Sequence, residues 1–255
     1  MLAALVTARI GGLFFFAPVI SSSGIPSQVK VALVLALTAA VYPAILPAML
    51  ERNPGALAEF PPTFLSLVPL LVFEVLVGFT IGFMAALPLF AAQLAGLVIG
   101  QQMGVALAEE YDPASGVNSN VISHMLYYLA VIGFLMLGGA DLLVLAVLRS
   151  FETVPIGGFR SDDRILAWLI SLLSASYELA IRLAAPVLCM LSLQSVALGF
   201  INKTAQAFNI MSLGFPMRVI IGFVIVIVSV TAINEALGDA ILDDLDGIFM
   251  VFDAW

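Results

Sequence analysis

The chain has 255 residues, 62% of them hydrophobic and 10% charged, with a formal net charge of −8 and a mean hydropathy of +1.16. A soluble domain of this length carries about 25% charged residues, so the composition excludes a soluble globular protein. With only two lysines, Lys30 and Lys203, it also excludes a basic surface for nucleic acid or anionic lipid.

The expected fold is all-α: a polytopic membrane protein of helical hairpins, with about six to seven apolar helical segments, some kinked at proline, and residues 1–255 as a single domain. Taken as seven, the segments fall at about 2–20, 31–50, 64–87, 88–108, 121–148, 165–198 and 214–238. The first follows Met1 at once, without a basic region or cleavage site, and reads as a retained helix. Ser21-Ser-Ser-Gly24-Ile-Pro26 separates the first two, and Arg52-Asn-Pro54-Gly55 with Pro61-Pro62 separates the second and third. Only Pro88 divides the third from the fourth, which predicts either one long kinked helix or a tight hairpin. Pro186 lies inside a sixth segment too long for one simple span, so a kink or break is expected near Ala184. The acidic tail (Asp239, Asp243, Asp244, Asp246, Asp253) reads as a short amphipathic end.

Basic residues divide as Lys30, Arg149, Arg160 and Arg164 against Arg52, Lys203 and Arg218, so the positive-inside rule assigns no orientation. The single cysteine, Cys189, excludes an intramolecular disulfide.

Charges within apolar segments include Arg9, Glu74, Asp141, Glu178 and Arg182. A charge at the bilayer centre costs roughly 2.5–3.5 kcal/mol on the lenient scale, so each should face protein or water. Glu178 and Arg182 are four apart and can pair along one helix. Glu74 has no such neighbour and must find its partner on another helix or another subunit. A proton or ion relay is one reading of these groups, and interhelical ion pairs in an assembly the simpler one. A relay needs titrating groups, and His124, the only histidine, sits at a helix start beside Ser123.

Enzyme signatures are missing: no His-Glu-x-x-His, no phosphate-cradling Gly-Lys-Ser/Thr loop and no Gly-x-Ser-x-Gly elbow occurs. Asp162-Asp163 stand with Arg160 and Arg164 in what reads as a solvated charged turn. No catalytic residue, cofactor or metal ligand is assigned.

The most informative stretch is a small residue at every fourth position, Ala92, Gly96, Gly100, Gly104 and Ala108, with Gly78-x-x-x-Gly82 upstream. Residues four apart lie nearly above one another, so these form a groove that admits another helix backbone closely. The same helix carries Gln101, Gln102 and Met103 near its end and runs into Glu109-Glu110-Tyr111-Asp112-Pro113-Ala-Ser115-Gly116. Amides at membrane depth require a partner or water, so this polar end and its turn-forming loop are suited to lining or obstructing a water-filled path.

Gly100-Gln-Gln-Met-Gly104-Val-Ala-Leu-Ala108 followed by Asp112-Pro-Ala-Ser-Gly116 resembles the central signature of the FliR family of type III export-gate membrane proteins. Further matches follow in order: Arg9-Ile-Gly-Gly-Leu13…Pro18…Ser23-Gly-Ile-Pro26…Lys30, then Phe151…Val154-Pro155-Ile-Gly157, then Ala197-Leu-Gly199-Phe-Ile-Asn-Lys203 through Asn209 and Gly214-Phe-Pro216. Lys203-Thr-Ala205-Gln206 stands where the family has Arg-Ala-Pro-Gln, keeping the charge and losing the proline. Glu109-Glu110 is more acidic than the family pattern.

The resemblance implies a non-enzymatic subunit of a protein-conducting channel in the bacterial inner membrane, in a flagellar basal body or injectisome base, with the flagellar system favoured. It implies P-type and Q-type partners (FliP-like and FliQ-like), FlhB-like and FlhA-like components, and unfolded export substrates in transit. It also implies that the loop after the Gln-Met-Gly helix plugs the pore, and that partners for Glu74 and Asp141 lie in other subunits. The competing class is a secondary transporter for a small solute using Glu74, Asp141 and Glu178 as coupling groups, which predicts an inverted repeat; the sequence shows no persuasive one.

Overall fold

The structure, a computed structural model, describes residues 2–18, 24–52, 64–105, 121–154, 156, 163–204 and 210–253. Among the described residues there are seven helices and no strand: α1 Leu2–Phe16, α2 Ser27–Arg52, α3 Phe64–Met103, α4 Val121–Met136, α5 Gly139–Thr153, α6 Asp163–Thr204 and α7 Ile210–Asp253. Four are long and apolar enough to cross a membrane, or five spans if α4 and α5 count as one broken span. The all-α membrane architecture is therefore as the composition dictates, with fewer long spans than the seven segments expected.

Segments three and four are one helix, because α3 runs through Pro88 without interruption. Proline removes a single hydrogen bond, and in a 40-residue helix with Leu87, Pro88 and Leu89 all buried that loss does not end the helix. The break expected near Ala184 is likewise absent: α6 is continuous through the exposed Pro186 over 42 residues, where one lost hydrogen bond does not end the helix. The acidic tail is no separate element but the end of α7, which spans 44 residues.

The fifth segment, in contrast, splits. Gly138 takes φ 74, its N–H donates to the Leu135 carbonyl at 3.1 Å, and its own carbonyl accepts from the N–H groups of Asp141 (3.0 Å) and Leu142 (3.1 Å). One glycine thus closes α4 and opens α5. A left-handed conformation costs an L-residue roughly 1–2 kcal/mol, and nothing lies within 4 Å of a methyl group placed there. Gly138→Ala is accordingly expected to lower stability by about 1–2 kcal/mol through backbone strain alone, read as a lower thermal midpoint of the detergent-solubilised chain.

The chain forms two compact units, one from residues 1–87, 134–172 and 241–255, the other from 88–133 and 173–240. In the first, α1 buries Leu5, Val6, Ile10 and Leu13, α3 buries Val77, Ile81 and Met84, and α5 buries Leu143, Ala146, Val147 and Phe151. Helix α2 packs on α1 and α5. Helices α1 and α3 approach backbone to backbone: a methyl group on Gly78 would fall on the Arg9 carbonyl, and one on Gly12 on the Val75 carbonyl. Phe16 continues this contact edge-on against Phe79 and Phe83, and Phe15 meets Phe79 at a tilt. In the second unit, Ala92, Ala95, Ile99 and Met103 of α3 are buried, as are Ile122, Leu126 and Ala130 of α4, Val187 and Leu191 of α6, and Val226, Ile233 and Leu237 of α7.

Candidate functional site

Arg9 organises the first unit. It is fully buried, and its Nε donates to Glu74 Oε2 at 2.6 Å. Nη1 donates to the Ser150 carbonyl at 2.8 Å and to Ser150 Oγ at 3.2 Å, and Nη2 donates to the Val154 carbonyl at 3.1 Å. The guanidinium also lies 4.1 Å from the centre of the Phe151 ring. These contacts to α3 and to the end of α5 follow from elementary needs. A buried cation requires a counter-charge, supplied by Glu74 on α3. The carbonyls that end α5 require donors, and the negative end of a helix dipole favours a cation. A planar guanidinium presents five N–H donors in one fork, which serves both needs at once.

Glu74 therefore has its partner on another helix of this chain, one of the two places its spacing left open, and not in another subunit as the resemblance implied. A carboxylate sealed at 2% exposure against a guanidinium is a structural tie, poorly placed as a coupling group open to solute. No spacing in the sequence marks Ser150, Phe151 and Val154 as partners of Arg9; the signal it offers is a cationic and an anionic residue in separate apolar segments. Asp141 is exposed in the first turn of α5, where the helix dipole favours a carboxylate. Glu178 and Arg182 pair as their spacing predicted, Arg182 Nη2 donating to Glu178 Oε1 at 2.9 Å with both side chains largely exposed. His124 is half-buried near the start of α4, its ring 6.3 Å from that of Tyr128.

The end of α3 belongs to the second unit. Ala92, Gly96 and Gly100 are buried. At Gly96 the occupant of the groove is the start of α4: an added methyl group would sit 2.5 Å from Ser123 Cα and 2.7 Å from the Ile122 carbonyl oxygen. Ser123 Oγ completes the contact by donating to the Gln93 carbonyl at 2.8 Å. The groove thus seats this chain's own helix at that rung.

Gly104 is not a further rung. The helix ends at Met103, and Gly104 follows with φ 80, its N–H donating to the Gln101 carbonyl at 3.0 Å, a positive-φ glycine at a helix end. Met103 is fully buried, its thioether on Gly222 of α7, while Gln101 and Gln102 are exposed. The helix end is thus anchored on one side and polar on the other. Ala108, Glu109, Glu110, Tyr111, Asp112, Pro113, Ser115 and Gly116 lie outside the described residues.

Residues 1–243 match the family described as bacterial export proteins, family 1. The chain is 30% identical over 214 residues to the flagellar biosynthetic protein FliR of Escherichia coli (strain K12), covering 84% of this chain and 78% of that protein. It is 26% identical over 247 residues to FliR of Caulobacter vibrioides, covering 96% and 94%. The surface presentation of antigens protein SpaR of Salmonella typhimurium (strain LT2) is 27% identical over 218 residues, covering 85% and 78%.

Proposed function

This chain belongs to the bacterial export proteins of family 1, and from that premise we propose that it serves as a non-enzymatic membrane subunit of a type III protein export gate. The observation that carries the reading is the family match over residues 1–243, joined by relatives named flagellar biosynthetic protein and surface presentation of antigens protein. Flagellar assembly is the system this reading favours, supported by matches to FliR proteins of Escherichia coli and Caulobacter vibrioides.

The finer reading is that the chain joins P-type and Q-type subunits, with FlhB-like and FlhA-like components nearby, in the bacterial inner membrane. The acidic segment after α3 plugs the conduit they form at rest. Its support is the anchoring of the preceding helix end: Met103 is buried on Gly222, Gly104 stops the helix, and Gln101 and Gln102 offer amides to water. Polar groups at that depth are stable only where water or protein meets them. Shortening the segment Glu109–Ser119 is expected to leave co-purification with partner chains intact and to raise ion leak through the resting gate. Unchanged conductance with normal assembly would remove the plug, and absence of any partner chain from the mild-detergent complex would remove the gate reading itself.

A further inference from the structure

Arg218 is a cation inside the apolar stretch Gly214–Asp244 of α7, which is long enough to cross a membrane. It is half-buried, and its Nη2 donates to Ser195 Oγ of α6 at 3.1 Å. Ser195 Oγ gives its own proton to the Leu191 carbonyl at 2.8 Å, which fixes the hydroxyl as an acceptor for the guanidinium. That bond uses one of a guanidinium's five N–H donors, and among the described residues no carboxylate pairs with Arg218. Arg9 shows the contrast, its fork being engaged by Glu74, by both oxygens of Ser150 and by the Val154 carbonyl.

The depth of Arg218 and its surroundings say what could complete it. It lies four residues inside its stretch, about 6 Å at 1.5 Å per residue, and Ser195 lies six residues, about 9 Å, from the Ile201 end of the stretch in α6. Helix side chains lean toward the N-terminus, which for α7 is the near edge of the span, and a long arginine reaches further that way. The charge therefore sits close to the depth of lipid headgroups. Around it the outward surface is apolar: Met217 precedes Arg218, Val196 follows Ser195, and both are exposed. Gly199 stands one turn beyond Ser195 on the same face, with no atom within 4 Å of an added methyl group, so space stays open beside the hydroxyl. Unused donors, open space and an exposed apolar rim together fit a ligand with an anionic head and hydrocarbon tails. Free phosphate would leave the rim uncovered, and water alone would leave the charge uncompensated.

We propose that the outer edge of the α6–α7 contact binds one anionic membrane phospholipid, with Arg218 forked onto its phosphate and its acyl chains along Met217 and Val196. A planar guanidinium meets phosphate oxygens through two parallel N–H bonds. Ser195 is a positioning residue, holding the fork without touching the lipid. One headgroup on one arginine needs no basic surface, so the shortage of lysine does not oppose it. The site belongs to the chain as a membrane protein and does not depend on the gate it serves.

The test uses the full chain, with any chains that co-purify, in nanodiscs of dioleoylphosphatidylcholine carrying a graded fraction of dioleoylphosphatidylglycerol. Lipids still bound after release into mild detergent are counted by native mass spectrometry. The parent is expected to retain phosphatidylglycerol in preference to phosphatidylcholine. Arg218→Gln should require about tenfold more of it, the scale of one hydrogen bond to a charged group. Arg218→Lys should fall between the two, since it keeps the charge without the fork. Ser195→Ala leaves the cation in place, so it tests the site even where Arg218→Gln fails to insert; retention is expected to weaken about threefold and to return with Ser195→Thr. Equal retention by the parent and these variants overturns the site, and a lowered thermal midpoint with unchanged lipid preference does the same. Displacement of the retained lipid by inorganic phosphate shows that a free anion suffices and overturns the phospholipid as occupant. Loss of a co-purifying chain with Arg218→Gln, at parental lipid retention, assigns the guanidinium to that chain and overturns the proposal too.

Discussion

Replacing Arg9 by methionine is expected to destabilise the chain by about 3–5 kcal/mol, the cost of removing one member of a buried ion pair. Glu74 would keep its burial and lose the Nε donor at 2.6 Å, and the Val154 carbonyl would lose its Nη2 donor. The double variant Arg9→Met/Glu74→Met is expected to regain most of the loss, because two apolar side chains of similar volume remove both desolvated charges together. Full recovery is not expected. The Ser150 carbonyl keeps the Val154 N–H at 3.0 Å, but the Val154 carbonyl has no replacement for the arginine among the described residues, and such an orphan costs about 1–3 kcal/mol. Unfolding of the parent, both single variants and the double variant in detergent gives the coupling as a double-mutant cycle. Additive losses would show that Arg9 and Glu74 act independently, and that Arg9 matters chiefly as a cap for α5. Glu178→Gln in the same assay is expected to change little, since its partner lies on its own helix and both side chains are largely exposed.

The two ion pairs also mark where the sequence is legible. Glu178 and Arg182 are neighbours on any helix, so spacing alone predicts their bond. Arg9 and Glu74 stand 65 positions apart, and no periodicity links them; only the cost of a lone charge in an apolar segment says that each needs something. Helix type and membrane character were readable because they are summed over many residues. Boundaries were not, because they turn on single residues whose effect depends on context. Pro88 and Pro186 each remove one hydrogen bond from a long helix and stop nothing, whereas Gly138 supplies a left-handed backbone and divides a segment that hydropathy joins. Gly104 looked like another rung of a four-residue repeat, and the same freedom of φ made it a helix terminus instead. The repeat did foretell close packing at Gly96, but a spacing rule carries no identity for the occupant, which there is the start of α4.

Adjacent glycines on α1 are expected to respond to the same substitution with opposite signs. A methyl group on Gly11 meets no atom within 4 Å, so Gly11→Ala should stabilise the helix by roughly 0.8–1 kcal/mol, the intrinsic advantage of alanine over glycine in a helix. On Gly12 the same group would fall on the Val75 carbonyl and lie 3.0 Å from the Phe79 nitrogen, both backbone atoms of α3 that cannot rotate aside. Gly12→Ala must therefore push the helices apart, with a loss of about 1–3 kcal/mol typical of overpacking that more than cancels the propensity gain. Gly78→Ala should be worse, because its methyl group falls on the Arg9 carbonyl and lies 2.8 Å from the Leu13 nitrogen. The displaced backbone is that of Arg9 itself, so the shift also pulls the guanidinium from Glu74 and from the end of α5. Coupling follows: in the Arg9→Met/Glu74→Met background, Gly78→Ala is expected to cost less than in the parent, because the geometry it disturbs no longer holds a charge. Equal losses in the two backgrounds would separate the helix crossing from the ion pair and leave close packing alone to hold α1 on α3.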